Sequence, residues 1–294
     1  MKAIIVLMCL ITLLIGAETI DEEKRQIKIE DIKNDKSKEN MQKWLEGSFS
    51  LKPYKDNFLL PLGYATKNYP SYKPGINYDQ KEAELQVSLK LKVYENLFGL
   101  NEIYYLSYTH HAFWQIYIES SPFRESIYNP EGFVVFPVSD KESWFQMRSF
   151  KFAVAHMSNG QPNTTNIDGF DGFNLSKSIN FFYGTARFQH GTLITDVTLM
   201  APFPGSANLS DNPDIMKYLG YTKVKFTYFI KDHMCSLMIR GNESSLKGAV
   251  EAKYSYPLYA DTYFYAKIFH GYAESLIDYN REVTKFSIGF SFSR

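Results

Sequence analysis

A histidine and a serine two residues apart stand at the end of an alternating run between residues 144 and 158. Alternate side chains of a β-strand share a face, so His156 and Ser158 continue a stripe of three apolar residues: Phe150, Phe152 and Val154. A serine hydroxyl becomes a nucleophile when a neighbouring base accepts its proton, and histidine is the usual base near neutral pH. The pair therefore predicts ester chemistry, and a lipid is the natural substrate if the stripe faces a membrane.

A third side chain could orient the histidine. Asn180 falls in a predicted strand over residues 177–189, on the face that carries Phe182. Its amide oxygen could accept a hydrogen bond from the histidine ring, and a neutral amide costs less than a carboxylate at a lipid boundary. Asp168 and Asp171, in the Asp- and Gly-rich connection before this strand, are alternative partners.

The elements that must position these residues are β-strands. Apolar and polar side chains alternate without a break from residue 83 to 93, which fits period 2 better than 3.6. The predicted strands cover 57–67, 83–93, 103–118, 131–139, 143–157, 177–189, 192–201, 223–230, 232–241, 246–255, 262–272 and 285–292. Roughly a dozen strands of about ten residues predict an outer-membrane β-barrel. The aromatic content of 16% fits the aromatic girdles of such barrels.

The first residues predict export. Lys2, an apolar run over residues 3–15 and the small pair Gly16-Ala17 predict a signal peptide over residues 1–17. A charged periplasmic segment is expected over 18–50, followed by a barrel domain over 51–294. Cleavage would leave Cys235 as the one cysteine, so no intramolecular disulfide is expected. The formal charge of zero gives no support for nucleic-acid binding.

Five motifs in a fixed order carry a family resemblance. They are Tyr108–Gln115, Glu119–Pro130, His156–Gly160, Asp211–Tyr221 and Gly271–Asn280. Together they resemble the outer-membrane phospholipase A family of Gram-negative bacteria, from about Leu51 to the C-terminus. No single motif would be specific, but their shared order is.

The resemblance implies a twelve-stranded antiparallel transmembrane β-barrel in the bacterial outer membrane. The implied activity is hydrolysis of the acyl esters (sn-1 and sn-2) of phospholipids and lysophospholipids, on the lipid-facing outside of the barrel. By motif, Ser158 would be the nucleophile, His156 the base and Asn180 the orienting residue. The Gly160 amide, which follows the nucleophile, is the candidate oxyanion donor. The family is activated by calcium and by dimerisation, so an inactive monomer and an active homodimer are expected.

The resemblance also implies the calcium ligands. The matching positions are Gln161, Ser176 and Ser120, with Ser120 contributed across the dimer, and Asp211 belongs to a possible separate site. Calcium is a hard cation that binds oxygen ligands. An acidic residue of the connecting loop, Asp168 or Asp171, could add charge.

Several features depart from the family pattern or leave alternatives open. The run Ser176–Phe181 lacks the Arg and Trp that commonly precede and follow the second serine, and the spacer before it is longer than in enterobacterial members. His110 stands where the family has Gln at the dimer interface, near Leu85 and Leu89, so association is predicted to depend on pH. The alternative functions are a passive porin or adhesin with a degenerate site, and a soluble secreted esterase of β fold.

Overall fold

The computed structural model describes residues 36–39, 41, 50–72, 75–138, 146–162, 166–167, 170–171, 174–205, 209–242 and 246–293. The predicted signal peptide, most of the predicted charged segment, and Asp168 lie outside the described residues, and only the backbone of Asp171 is described. Residues 36–39 and 41 are helical. No helix of the described residues is long and apolar enough to cross a membrane.

Within the described residues, twelve strands close into an antiparallel barrel, which confirms the predicted fold. The described residues form fifteen strands in all: β1 (Leu51–Pro53), β2 (Asn57–Ala65), β3 (Lys81–Glu95), β4 (Ile103–Trp114), β5 (Phe123–Pro137), β6 (Met147–Ser158), β7 (Asn166–Ile167), β8 (Phe170–Asp171), β9 (Ser178–His190), β10 (Leu193–Pro202), β11 (Thr222–Ile230), β12 (His233–Asn242), β13 (Lys247–Tyr259), β14 (Thr262–Gly271) and β15 (Val283–Ser293). A short helix, α1 (Ile215–Leu219), precedes β11. The order around the barrel is β3-β2-β15-β14-β13-β12-β11-β10-β9-β6-β5-β4, and β4 pairs again with β3. β1 adds to β3 beyond β2, while β7 and β8 form a separate ribbon in the β6–β9 connection.

Several strand boundaries differ from the prediction, and the largest difference is at the start of β5. β4 ends at Trp114 rather than 118, and β5 begins at Phe123 rather than 131. The first half of β5 is rich in polar residues, including Arg124 and Glu125, which are 3% and 1% exposed. A polar run resembles a loop in sequence, but here these side chains enter a lumen where they find partners.

Charged side chains fill the described part of the lumen. Arg124 Nε lies 2.9 Å from Glu82 Oε2, and Lys285 Nζ lies 2.7 Å from Glu82 Oε1, with all three side chains fully buried. Lys267 pairs with Glu84, which is also buried. The lysines that alternate with apolar residues in sequence therefore compensate buried carboxylates. This packing differs from the water-filled lumen that a porin needs.

The outer wall is apolar. Side chains that a soluble protein would bury are open to the surroundings: Leu199 is 62% exposed, Leu106 56% and Phe152 44%. They alternate along their strands with buried lumenal residues. A continuous apolar band around a closed barrel is stable only in lipid. The protein is thus an outer-membrane barrel rather than a soluble esterase.

Candidate active site

The pairing of β6 with β9 brings the predicted histidine and asparagine together. His156 lies opposite Asn180 in the antiparallel register. His156 Nδ1 and Asn180 Oδ1 are 2.8 Å apart. An amide oxygen can only accept, so Nδ1 carries a hydrogen, and in the neutral ring the lone pair is then on Nε2. This tautomer is the one that a general base needs if Nε2 is to take a proton.

Ser158 shares the outer face of β6 with His156. Both side chains and Asn180 are half-buried. Val154 and Phe182, which precede and follow them on the same faces, are 42% and 37% exposed. Residues i and i+2 of a strand are separated by about 7 Å at the backbone, so side chains that lean together can meet. The three polar side chains therefore lie on the lipid-facing wall where β6 ends and β9 begins.

Aromatic rings cover the wall below this trio. Phe182 stacks on Phe203 with ring centroids 4.2 Å apart and faces Phe152 at 6.2 Å. Such a surface is apolar and rigid, and it suits acyl chains rather than water. The polar trio is therefore bordered on one side by a surface that matches the hydrocarbon part of a lipid.

The backbone turns sharply after the serine. Gly160 has φ +61, a conformation that L side chains rarely adopt. A Cβ at this position would lie 3.0 Å from Cε2 of the Tyr128 ring. Tyr128 itself lies opposite Ser158 in the pairing of β5 with β6. Both the backbone conformation and the neighbouring ring therefore favour glycine at this position.

Two asparagines outside the predicted catalytic and calcium-binding residues fix the ends of β6 and β9. Asn159 is 2% exposed, and its Nδ2 donates to the Leu175 carbonyl at 2.8 Å. Asn212 is fully buried, and its side chain exchanges two hydrogen bonds with the backbone of Ser178, at 2.9 and 3.0 Å. Both residues lie in the motifs that carry the family resemblance, and this position in the motifs was the sequence signal that could have indicated their importance. Their contacts were not predictable, because they depend on loop conformations.

Three of the four candidate calcium ligands, Gln161, Ser176 and Asp211, are connected by hydrogen bonds near the end of β6. Ser176 Oγ donates to Asp211 Oδ2 at 2.9 Å, and Asn174 Nδ2 donates to Asp211 Oδ1 at 2.8 Å. Asp211, which was assigned to a possible separate site, is thus next to Ser176. Gln161 follows Gly160, and the backbone amide of Gln161 donates to Asn159 Oδ1 at 3.3 Å. Ser120 is exposed in the turn after β4, with φ +60.

The donor chemistry of this region fits a hard cation. Among the described residues, no three His, Cys, Asp or Glu side chains cluster as they would in a metal site built from those types alone. Ser176 offers a hydroxyl oxygen, Gln161 a carbonyl oxygen and Asp211 a carboxylate. Calcium accepts such mixed oxygen sets, whereas zinc and copper favour nitrogen and sulfur.

His110 lies on the outer wall near the site. Its ring stacks on Tyr128 with centroids 5.2 Å apart and an interplanar angle of 4°. Val87 lies opposite it on β3. The lateral row on the outer face thus runs from Val87 through His110 and Tyr128 to Ser158. A protein–protein interface that included His110 would therefore extend to the surroundings of Ser158.

Comparisons with known proteins agree with these observations. A family model described as phospholipase A1 matches residues 34–292. A phospholipase A1 homologue of Neisseria meningitidis is 35% identical over 268 residues, which cover 85% of this chain and 67% of the relative. The phospholipase A1 of Escherichia coli is 31% identical over 255 residues, which cover 85% of this chain and 84% of the relative.

Solved structures show the same similarity. The outer membrane phospholipase A of Escherichia coli superposes with a TM-score of 0.73 at 28% identity, over 83% of this chain and 98% of that chain. The dimer of the Salmonella typhi outer membrane phospholipase with bound calcium also gives a TM-score of 0.73 at 28% identity, over 83% of this chain and 92% of that chain.

Proposed function

The chain belongs to the phospholipase A1 family of outer-membrane enzymes, and we propose that it hydrolyses phospholipid acyl esters with Ser158, His156 and Asn180. The observation that carries this proposal is the 2.8 Å contact between His156 Nδ1 and Asn180 Oδ1, two residues from Ser158 on the lipid-facing wall. The substrates are the sn-1 and sn-2 esters of phospholipids and lysophospholipids. The site lies where an outer-leaflet lipid presents its ester groups.

The reaction follows from the roles of the three side chains. Ser158 Oγ attacks the ester carbonyl carbon while His156 Nε2 accepts the hydroxyl proton. Asn180 accepts the hydrogen bond from Nδ1 and holds the ring in place. The C–O bond to the lysolipid breaks, and that oxygen leaves with the proton from His156. Water then attacks the acyl-enzyme with the same proton transfers, which releases the fatty acid and restores Ser158.

The Gly160 amide is the proposed donor to the negatively charged oxygen of the tetrahedral intermediate. It follows Ser158 at a turn that Asn159 holds in place. Gln161 and Ser176 would hold calcium beside this amide, with Asp211 hydrogen-bonded to Ser176. The chemistry that bound calcium would supply is positive charge near the developing oxyanion.

A second copy of the chain is the proposed partner. A relative is solved as a dimer with bound calcium. Ser120 would reach the calcium of the other copy, so a monomer would have an incomplete ligand set. Activity would then require both calcium and association, and the monomer would be inactive while phospholipids stay in the inner leaflet.

Removal of calcium is expected to abolish hydrolysis. In detergent micelles with a phospholipid substrate, excess chelator should lower kcat by about 100-fold or more, because a metal contributes several kcal/mol of transition-state stabilisation. Added calcium should restore the rate, and Ser176→Ala should raise the calcium concentration that gives half-maximal rate. Undiminished hydrolysis in excess chelator would contradict the calcium proposal.

Substitution of Gly160 by alanine is expected to lower kcat by about 100-fold with little change in KM. The added methyl must move either the Tyr128 ring or the amide that faces the oxyanion, and loss of one such donor has roughly that cost. Gly191→Ala is the matched control, since Gly191 has φ +57 but open space around its Cβ position. Equal losses in the two variants would show general backbone strain instead.

Association is expected to weaken at low pH because of His110. An imidazole is mostly neutral at pH 8 and mostly charged at pH 5, and a charge in an interface at the lipid boundary is unfavourable. The groups that face it are the phenol ring of Tyr128 on β5 and the apolar side chain of Val87 on β3, and the adjacent His111 contacts Glu84. Sedimentation equilibrium should show a dissociation constant roughly tenfold higher at pH 5 than at pH 8. His110→Gln should remove this dependence, and an unchanged constant in the wild type would exclude it.

A further inference from the structure

The pairing of β4 with β5 contains a bulge next to the site. Phe113 lies opposite Glu125 and the next residue, Trp114, lies opposite Phe123, so Arg124 is the extra residue. A bulge allows two successive side chains to point to the same side. Arg124 and Glu125 therefore both enter the lumen, where they are 3% and 1% exposed.

The bulge binds the loop between β14 and β15. Arg124 Nη1 donates to Asp278 Oδ2 at 2.6 Å and to Ser275 Oγ at 3.2 Å. The Ile277 amide donates to Glu125 Oε1 at 2.7 Å. Two adjacent residues of β5 thus hold three positions of the 272–282 loop inside the barrel mouth.

The same Glu125 oxygen also contacts the residue after the nucleophile. Asn159 Nδ2 donates to Glu125 Oε1 at 3.2 Å and to the Leu175 carbonyl. The other amide atom, Asn159 Oδ1, accepts from the Lys177 amide at 3.0 Å and from the Gln161 amide. Asn159 therefore connects the end of β6 to the segment that leads into β9. Glu125 holds the Asn159 side chain from the lumenal side through the hydrogen bond to Nδ2.

We propose that Glu125 is a positioning residue, which acts through Asn159 to hold the backbone of residues 159–161 in its reactive conformation. This inference rests on the proposed function. Hydrogen bonds connect the 272–282 loop to Glu125, Glu125 to Asn159, and Asn159 to the backbone amide of Gln161. This backbone carries the proposed oxyanion donor and a proposed calcium ligand. Small displacements of such groups have large kinetic costs because the transition state requires exact geometry.

The test compares three variants of Glu125 and Glu131 in refolded barrels with calcium and micellar phospholipid. Glu125→Ala is expected to lower kcat by about tenfold or more with KM unchanged. Glu125→Gln keeps an Oε1 acceptor, so its kcat should stay within about threefold of wild type. Glu131→Ala is the matched control, because Glu131 is a buried carboxylate on the same lumenal face about 20 Å further along β5. It should leave kcat unchanged.

Hydrogen exchange provides a readout that does not depend on activity. In Glu125→Ala, protection of the Ile277, Gln161 and Lys177 amides should fall, while Glu125→Gln should retain it. A wild-type kcat in Glu125→Ala would overturn the inference, as would a lower kcat with unchanged protection at Gln161 and Lys177. A wild-type protein without hydrolysis would instead overturn the proposed function, and the inference with it.

Discussion

Replacing Ser158 by alanine is expected to lower kcat by roughly 10⁴- to 10⁶-fold, the range that loss of a catalytic serine causes elsewhere. The substitution removes the oxygen atom that forms the acyl-enzyme. Ser158 lies on the lipid-facing wall and is half-buried, so alanine should not disturb the barrel. The measurement is phospholipid hydrolysis in micelles with calcium.

Two controls separate chemistry from folding. The Ser158→Ala barrel should keep heat-modifiable, SDS-resistant migration on gels. Ser178→Ala changes the serine directly opposite on β9 and should keep kcat within about threefold, because its contacts to Asn212 are made by the backbone. A Ser158→Ala enzyme with full activity would exclude the acyl-enzyme mechanism.

Replacing His156 by alanine is expected to lower kcat by about 10³- to 10⁴-fold, since no other base then accepts the Ser158 proton. Asn180→Ala should have a smaller effect, because it removes the orientation of the ring but not the base itself. KM should change little in either variant, since the acyl chains pack on the wall below the site.

The roles of the two residues can be separated by a double variant. His156→Ala combined with Asn180→Ala should be no slower than His156→Ala alone, because Asn180 acts through the ring that the first substitution removes. Additive losses would contradict that relation. An Asn180→Ala enzyme with wild-type kcat, together with loss in Asp171→Ala, would assign the orienting role to Asp171.

The fold was predictable because lipid-facing and lumen-facing residues alternate along each strand of a membrane barrel. In β3, Val87 faces outward and is 49% exposed while Ser88 is fully buried, as the alternation indicated. The same alternation placed His156 and Asn180 on one outer wall. Their direct contact required the register of β6 against β9, which a sequence does not specify when a long loop joins the strands.

Other parts of the site depended on contacts between distant segments. The first half of β5 was missed because Arg124 and Glu125 are polar residues whose partners come from distant segments, including Glu82 of β3 and the 272–282 loop. The proximity of Asp211 to Ser176 joins two loops that are 35 residues apart in sequence. Loop conformations of this kind follow from tertiary packing rather than from local propensity.

Covalent labelling of the active serine directly tests whether Ser158 is the nucleophile. A lipid-like fluorophosphonate should react with an activated serine, and peptide mass spectrometry locates the adduct. We expect one adduct at Ser158 in the calcium-loaded wild type, none in Ser158→Ala, and much slower labelling in His156→Ala. Hydrolysis by a wild-type enzyme that stays unlabelled at Ser158, or is labelled at another serine, would contradict the assignment of Ser158 as the nucleophile.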